Sequence, residues 1–362
     1  MELIQWSAAT HDLTSRTAPI DAERSSAAEA HSRFLYLTEP GIMLRRAGNR
    51  LRITRKKELL RELSVLKLQG VLCYGNVQVS SQCLRSLLEE GVWLAFFSGQ
   101  GAYRGRLQPP AECGGRLRAR QWELTRDLTF SLAFSRAVVR AKILAARHVA
   151  SSFAKHNLAE TLGDGATLLR AALDQVGEAS IDGLRGVEGS AARAYFDLFR
   201  RWNKSAIPFE GREKRGATTP INILLNIGYT LLTNELNGLI EAAGLDPAAG
   251  FYHQPDADRP SLACDWVEEF RHLIVDRLVL RLINQGTIKA GDFIDLEERG
   301  LRLGRDALRK LIAAYEKSLN GNFAPDAEEG DAKGWRAIFL RQLGRLVDAI
   351  RDRSPYEPHN AV

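Results

Sequence analysis

Hydrophobic positions follow two different periods along this chain. In residues 33–107, apolar residues alternate with polar ones or form short runs between turns, as in Arg50-Leu-Arg-Ile-Thr-Arg55 and Val92-Trp-Leu-Ala-Phe-Phe97, which is typical of β-strands. In residues 116–353 they recur every three or four positions, which is typical of helices. The pattern predicts an α+β fold in which a β-rich N-terminal domain precedes a larger all-α domain.

Three segments with weak periodicity separate or flank these domains. Residues 108–115 contain two prolines and two glycines and predict a linker. Residues 1–32 are polar and rich in Ala, Ser and Thr, so we expect a flexible leader, and residues 354–362 predict a disordered tail. The helical domain is then 116–353, where the pattern first predicts a helical stretch over 117–153. Further helices are expected at 159–176, 181–199, 219–243, 264–286, 307–319 and 334–351.

Composition narrows the class of protein. The 362 residues are enough for two domains, and 50 Lys and Arg against 44 Asp and Glu give a net charge of +6, which favours a polyanionic partner. None of the four cysteines is in CxxC spacing, which favours reduced thiols in the cytoplasm. No apolar run approaches the roughly 20 residues that a membrane-spanning helix needs. We therefore expect a cytoplasmic protein with no membrane partner.

A run of basic residues lies in the predicted β-rich domain. Between Arg45 and Lys57 there are seven Lys and Arg side chains and no acidic one. Such charges occur on solvated strand edges, where they oppose aggregation. They also suit a surface that contacts nucleic-acid phosphates. The run by itself favours neither interpretation.

The segment from Gly250 to Asp276 holds the densest candidate chemistry. His253 precedes a predicted helix for which Ser261 is a plausible N-cap. Carboxylates and a histidine then follow at steps of three and four, which places them on one predicted polar face; they are Asp265, Glu268, Glu269, His272 and Asp276. Carboxylates on one face repel each other unless a positive charge lies among them, so the pattern suggests a divalent metal ion.

Glu188 is a further candidate ligand, at the start of a predicted helix lined with small residues. Alone, such a carboxylate most often complements the helix dipole, and a lone histidine is most often a structural group. Together, Glu188, His253 and one of the later carboxylates make a mixed nitrogen and oxygen donor set that suits Mn²⁺ or Mg²⁺.

A basic segment interrupted by Pro and Gly lies between these two regions. It contains Lys204, Arg212, Lys214 and Arg215 and is either a solvated connection between helices or a mobile loop that grips DNA phosphates; the second interpretation is favoured. Asn222 and Tyr229 follow on the next predicted helix. Either contributes to the same surface or fills a polar gap between helices.

Taken in order, these motifs resemble those of CRISPR adaptation integrases, the first of the two core Cas adaptation proteins. The resemblance covers roughly residues 34–356, and the ordered set is specific although each piece is weak. Its parts are Gly70 with Tyr74-Gly75, Glu188-Gly189 with Arg193, Tyr195 and Phe196, Phe209 with Gly211-Arg212 and Arg215, Asn222 with Gly228-Tyr229, Gly244-Leu-Asp-Pro247 with Gly250 and His253, Arg259 with Ser261-Leu262, Asp265, Glu268, Phe270-Arg271 and Asp276, and Tyr315-Glu316 with Gln342. The leader before Phe34 is longer than the family leads us to expect.

The resemblance implies a metal site made of Glu188, His253 and Glu268, binding Mg²⁺ or Mn²⁺, with Asp265 in a supporting position. It implies DNA contacts from the basic loop together with Asn222, Tyr229 and Arg259. It also implies a homodimer formed largely through the β domains and a stable complex with a small ferredoxin-like second adaptation protein. The implied reaction is transesterification, in which the 3′-hydroxyl of a captured DNA fragment attacks a phosphodiester at the edge of a CRISPR repeat.

Two other functions remain open at this point. The same ligands could serve a metal-dependent nuclease that acts on branched DNA, with water as the nucleophile. Alternatively, the protein could be a non-catalytic DNA-binding scaffold, which would show no metal dependence at Glu188.

Overall fold

Two compact units make up the structure, a computed structural model. It describes residues 5–6, 34–56, 58–65, 68, 70–98, 103–109, 115–156, 164–213, 218–253, 259–295, 300–320 and 334–360. The first unit comprises Met1–Pro110 and Ile312–Ala337, and the second comprises Ala111–Leu311 and Ile338–Val362. The first break falls inside the predicted linker, but the return of residues 312–337 to the first unit was not predicted.

Two β-sheets and one helix form the N-terminal part of the first unit. A five-stranded sheet has the order β1-β2-β6-β8-β9, and a four-stranded sheet has the order β5-β4-β3-β7. The elements are β1 (Gln5–Trp6), β2 (Phe34–Leu37), β3 (Ile42–Ala47), β4 (Arg50–Arg55), β5 (Glu58–Ser64), β6 (Gly70–Tyr74), β7 (Gln78–Val79), α1 (Ser81–Glu89), β8 (Trp93–Phe97) and β9 (Tyr103–Leu107).

The hydrophobic pattern explains both sheets. In β4, Leu51 and Ile53 are buried while Arg50 and Arg52 are exposed, as period-two alternation requires. Strands β6 and β8 lie parallel, with α1 between them in the chain. A Cβ at Gly70 would lie 2.6 Å from the Trp93 ring, so glycine leaves the space in which the indole packs over β6.

Five arginines of the basic run lie on β3 and β4, and β4 has a strand on each side. The interpretation as a strand edge is therefore wrong for β4. Arg52 is paired with Glu62 at 3.2 Å, and Arg55 is paired with Glu39 at 2.7 Å.

A buried polar cluster joins residues 312–337 to this unit. Glu316 accepts hydrogen bonds from the Tyr36 hydroxyl and from the Arg336 guanidinium. Because Glu316 and Arg336 are both buried, each neutralises a charge that would otherwise be costly in the interior.

Helices dominate the second unit. They are α2 (Gly115–Thr125), α3 (Leu128–His156), α4 (Gly165–Gln175), α5 (Ile181–Trp202), α6 (Pro220–Ala242), α7 (Ser261–Trp266) and α8 (Arg277–Asn284). The small strands β10 (Phe293–Asp295) and β11 (Leu301–Leu303) follow, and then α9 (Arg305–Asn320) and α10 (Trp335–Asp352). The boundary between the two units passes through α9 and through α10, so both units share these two helices. The predicted helical stretch over 117–153 is in fact two helices. Asp127 separates them, because its carboxylate accepts from the backbone N–H groups of Thr129 and Phe130 and so caps α3.

The carboxylate-rich segment is not the single amphipathic helix that the spacing predicts. After α7 it becomes a 3₁₀ turn at Val267–Glu269 and a π-helical turn at His272–Asp276 before α8 begins. Ser261 is the first residue of α7, and the N-cap position is occupied by Pro260 instead. Asp265, Glu268, Glu269 and Asp276 are all buried, so the segment has no solvated polar face.

Both chain ends differ from the predictions where the structure describes them. Gln5–Trp6 pairs antiparallel with β2, whereas the rest of the predicted leader lies outside the described residues. Residues 354–360 are not a disordered tail. Tyr356 and His359 are buried there, and Tyr356 stacks on Phe134. Among the residues that the structure describes, no helix is both long and apolar enough to cross a bilayer.

Candidate metal centre

Two of the three predicted ligands converge on one buried cation in the second unit. Lys142 of α3 forms ion pairs with Glu188 of α5 and, at 2.7 Å, with Glu268 of the 3₁₀ turn. The exposed fractions of the three side chains are 8%, 17% and 6%. Glu188 and Glu268 are 80 positions apart in sequence, yet one ammonium group contacts both.

The surrounding donors keep both carboxylates ionised. Burial opposes ionisation of Glu188, but Lys142 and the hydroxyl of Tyr252, which donates to Glu188, outweigh it and lower its pKa. Burial opposes ionisation of Glu268 as well, but Arg271 and Lys142 hold its pKa far below the usual range. Arg271 donates to both oxygens of Glu268, at 2.8 and 3.1 Å.

His253 is held by Asp265. The Asp265 carboxylate accepts from the backbone N–H groups of Phe251, Tyr252 and His253, and one of its oxygens lies 2.7 Å from Nδ1 of the His253 ring. Gly250 allows this tight turn, because a Cβ there would lie 2.6 Å from the carbonyl oxygen of His253. Asp265 thus fixes the loop and the orientation of the imidazole.

The donor chemistry suits Mg²⁺ or Mn²⁺, but the geometry differs from a metal cage. In the described part of the chain, no three His, Cys, Asp or Glu side chains stand close enough to share one metal ion. Glu188 and Glu268 instead share the ammonium of Lys142. The His253 imidazole is near enough to Glu268 to interact with that carboxyl electrostatically. Glu188 and Glu268 are therefore neighbours around the Lys142 ammonium, whereas His253 is held by Asp265 close to Glu268.

A second buried network lies beside Glu268. His272 Nδ1 is 2.6 Å from Asp276, and Asp276 also accepts from the hydroxyl of Tyr229. Arg271, which binds Glu268, also lies over the Tyr229 ring at 4.1 Å. Burial and then the charge of Asp276 raise the pKa of Tyr229. The arrangement favours the interpretation that Tyr229 fills a polar gap between helices.

Asn222 likewise has a structural environment. It is 1% exposed, its amide nitrogen donates to the Gly211 carbonyl oxygen, and its amide oxygen accepts from the Glu213 N–H and from Arg212. Asn222 therefore anchors the start of the basic loop, and its burial does not fit the predicted direct contact with DNA.

The predicted DNA-binding cations differ in exposure. Lys204 and Arg259 are exposed, and Arg212 is half-buried with a 2.6 Å hydrogen bond to Asn226. Lys214 and Arg215 lie outside the described residues.

Sequence reasoning missed Lys142, although a signal was present. Lys142 lies on the buried face of α3, in register with Val138, Ala145 and Val149. A lysine at a core-facing position is rare unless it is paired. The spacing therefore indicates a buried carboxylate partner, but it does not say which carboxylate.

Comparison with known proteins gives concordant matches. A family model described as CRISPR associated protein Cas1 matches residues 35–317. The chain is 34% identical over 296 residues to the CRISPR-associated endonuclease Cas1 1 of Chlorobaculum tepidum, a match that covers 79% of this chain and 86% of that protein.

Two solved structures show the same fold. One belongs to a Cas6-RT-Cas1--Cas2 complex, with a TM-score of 0.79 and 22% identity, covering 97% of this chain and 38% of that chain. The other is a casposase bound to integration product, with a TM-score of 0.76 and 23% identity, covering 91% and 94%. The predicted order, a β-rich N-terminal part followed by a mostly helical part, is confirmed.

Proposed function

Because this chain belongs to the CRISPR associated protein Cas1 family, we propose that it is a metal-dependent DNA integrase of CRISPR adaptation. It inserts captured DNA fragments into the repeat array, and the 3′-hydroxyl of the fragment attacks a repeat phosphodiester. The observation that carries this proposal is the convergence of Glu188 and Glu268 on one cation. The Chlorobaculum tepidum relative is named an endonuclease, and the casposase was solved bound to integration product. Both relatives support chemistry on phosphodiesters.

Glu188, Glu268 and His253 would hold Mg²⁺ or Mn²⁺. Such an ion polarises a phosphodiester and stabilises the leaving oxygen. The protein's part is to position these groups. Asp265 engages Nδ1 of His253, which leaves Nε2 as the ring's ligand atom. Arg271 and Lys142 keep the carboxylates ionised at neutral pH. No protein nucleophile is required, because the attacking hydroxyl belongs to the DNA.

DNA and protein partners follow from the same proposal. Exposed Lys204 and Arg259, with Lys214 and Arg215 of the basic loop, would contact phosphates of the captured fragment and of the repeat. The protein would act in the cytoplasm as a homodimer with a small ferredoxin-like second adaptation protein. One structural relative belongs to a complex that contains both Cas1 and Cas2, which supports a partner of this kind.

The test is a strand-joining assay with a labelled 3′-hydroxyl oligonucleotide and repeat DNA in Mn²⁺ or Mg²⁺. We expect wild-type protein to join the strands, whereas His253→Ala folds and binds DNA without joining them. Normal joining by His253→Ala would rule the proposal out.

A nuclease that acts on branched DNA is the second candidate, since the Chlorobaculum tepidum relative is named an endonuclease. One labelled branched substrate distinguishes the two functions, because joined and hydrolysed products differ in length. A non-catalytic scaffold would instead show the same DNA binding at every Mn²⁺ concentration in wild type and in Glu188→Ala.

A further inference from the structure

Lys142 is the cation that neutralises the candidate metal centre. Its side chain is 8% exposed, and its ammonium contacts one carboxylate from α5 and one from the 3₁₀ turn. Arg271 binds Glu268 from the other side. The two carboxylates thus already face two positive side chains, and their charges balance before any metal ion arrives.

A divalent ion at the same carboxylates conflicts with this balance. It needs the oxygens that Lys142 contacts, and it would add two positive charges beside an ammonium in a buried site, where charges are weakly screened. The ion and the ammonium therefore compete for Glu188 and Glu268.

Space for a displaced ammonium exists beside the site. A cavity of about 10 Å³, room for one water-sized group such as an ammonium, is lined by Lys142 and Glu188 together with the small residues Ala146, Ala191 and Ala192. A lysine side chain has four rotatable bonds and a compact charge, so it can turn into such a space. A buried ammonium that leaves two carboxylates needs another anion, because an unpaired buried charge is unfavourable.

We propose that Lys142 is an internal counter-ion that holds the metal-free centre closed and is displaced when a divalent ion and a DNA phosphate bind together. The inference rests on the proposed function, which supplies the phosphate. The phosphate gives the displaced ammonium a new partner, so bound DNA strengthens the binding of the metal ion. Because coupling between two binding sites is reciprocal, the bound metal ion strengthens the binding of DNA by the same factor.

The experiment measures Mn²⁺ affinity by electron paramagnetic resonance of free Mn²⁺, with and without saturating duplex DNA. Mn²⁺ binding that is present in wild type and lost in Glu188→Gln is assigned to the candidate metal centre. We expect Lys142→Gln to bind Mn²⁺ at least about tenfold more tightly than wild type in the absence of DNA. We expect DNA to tighten Mn²⁺ binding about tenfold in wild type and to change it little in Lys142→Gln, where tenfold corresponds to about 1.4 kcal/mol.

Matched variants separate the role of the ammonium from a general loss of charge. Arg140→Gln removes an exposed positive charge from the same helix and should bind Mn²⁺ like wild type, and Lys142→Arg should keep the weak affinity. Equal or weaker Mn²⁺ binding by Lys142→Gln would overturn the inference. So would a Lys142→Gln protein that stays unfolded in Mn²⁺, because an ion that replaces the ammonium must restore the fold.

The two proposals fail differently. Wild type that joins DNA in Mn²⁺, together with a Lys142→Gln variant of unchanged Mn²⁺ affinity, would sink only the counter-ion inference. Wild type that neither joins DNA nor binds Mn²⁺ at Glu188 would sink the proposed function, and the inference with it.

Discussion

Glu268 and Glu269 are adjacent, chemically identical and both buried, yet the fold gives them opposite environments. Glu268 faces Lys142 and Arg271, whose charges keep it ionised. Glu269 accepts from the Tyr356 hydroxyl and the His359 N–H, both neutral donors of the C-terminal segment. Burial raises the pKa of Glu269 to about 8. The comparison shows that neighbouring carboxylates take different roles according to the donors that distant segments supply.

The largest effect should follow from removing a cation on the Glu268 side. Arg271→Met takes away a charged bidentate donor and leaves Glu268 with Lys142. Hydrogen bonds to charged groups contribute about 1.5–3 kcal/mol each, so we expect the free energy of unfolding in EDTA at pH 7 to fall by about 3 kcal/mol. Urea denaturation measures it.

Arg281→Met is the matched control, because Arg281 is exposed on α8, and its effect should stay within about 0.5 kcal/mol. If Arg271→Met were as stable as Arg281→Met, the ion pair would not stabilise the fold and the contrast between the two carboxylates would lose its energetic basis.

Sequence could supply much of the fold because local pattern and tertiary structure agree there. The alternation in β4 and the buried runs of β6 and β8 predict strands correctly, and three- and four-residue spacing predicts α5 and α6. The π-helical turn at His272–Asp276 could not be predicted. The spacing of polar residues is nearly the same in α- and π-helical turns, and here buried partners such as Tyr229 and Tyr356 accompany the irregular backbone.

The site was less accessible to sequence reasoning. Glu188, His253 and Glu268 came from a family resemblance, and periodicity alone gave Glu268 and Glu269 the same polar face. Lys142, Tyr252 and Arg271 were missed as partners, since nothing local says which distant carboxylate a buried cation meets. The tail was predicted to be disordered from its prolines, but Pro358 and Pro355 flank residues that bind Glu269 and stack on Phe134.

The pH dependence of the free energy of unfolding should reveal the proton that the folded state holds on Glu269. Its carboxyl has a pKa near 4.5 when unfolded and about 8 when folded. Between these values the folded state keeps a proton that the unfolded state has released. The protonated Glu269 carboxyl therefore stabilises the folded state fully below pH 4.5, and this contribution to the free energy of unfolding is lost as the pH rises through 8. The slope approaches about 1.4 kcal/mol per pH unit.

Glu269→Gln is neutral at every pH and removes this slope. We expect wild type to lose about 2 kcal/mol more than the variant between pH 5 and pH 6.5, as urea denaturation in EDTA can measure. Parallel stability curves for the two proteins would show that Glu269 does not hold a proton in the folded state.

The smallest effects are expected from removing one tyrosine hydroxyl beside Glu269 and one beside Glu188. Tyr356→Phe removes a neutral donor from Glu269, and Tyr252→Phe removes one from Glu188, which keeps its ion pair with Lys142. A single hydrogen bond contributes about 1 kcal/mol, and a buried acceptor left without a partner costs more. We therefore expect Tyr356→Phe to lower the free energy of unfolding by about 1–2 kcal/mol and Tyr252→Phe by about 0.5–1 kcal/mol, measured at pH 7 in EDTA. The reverse order would mean that Lys142 does not satisfy Glu188 in the metal-free protein, and that the C-terminal segment contributes less to holding Glu269 than its hydrogen bonds indicate.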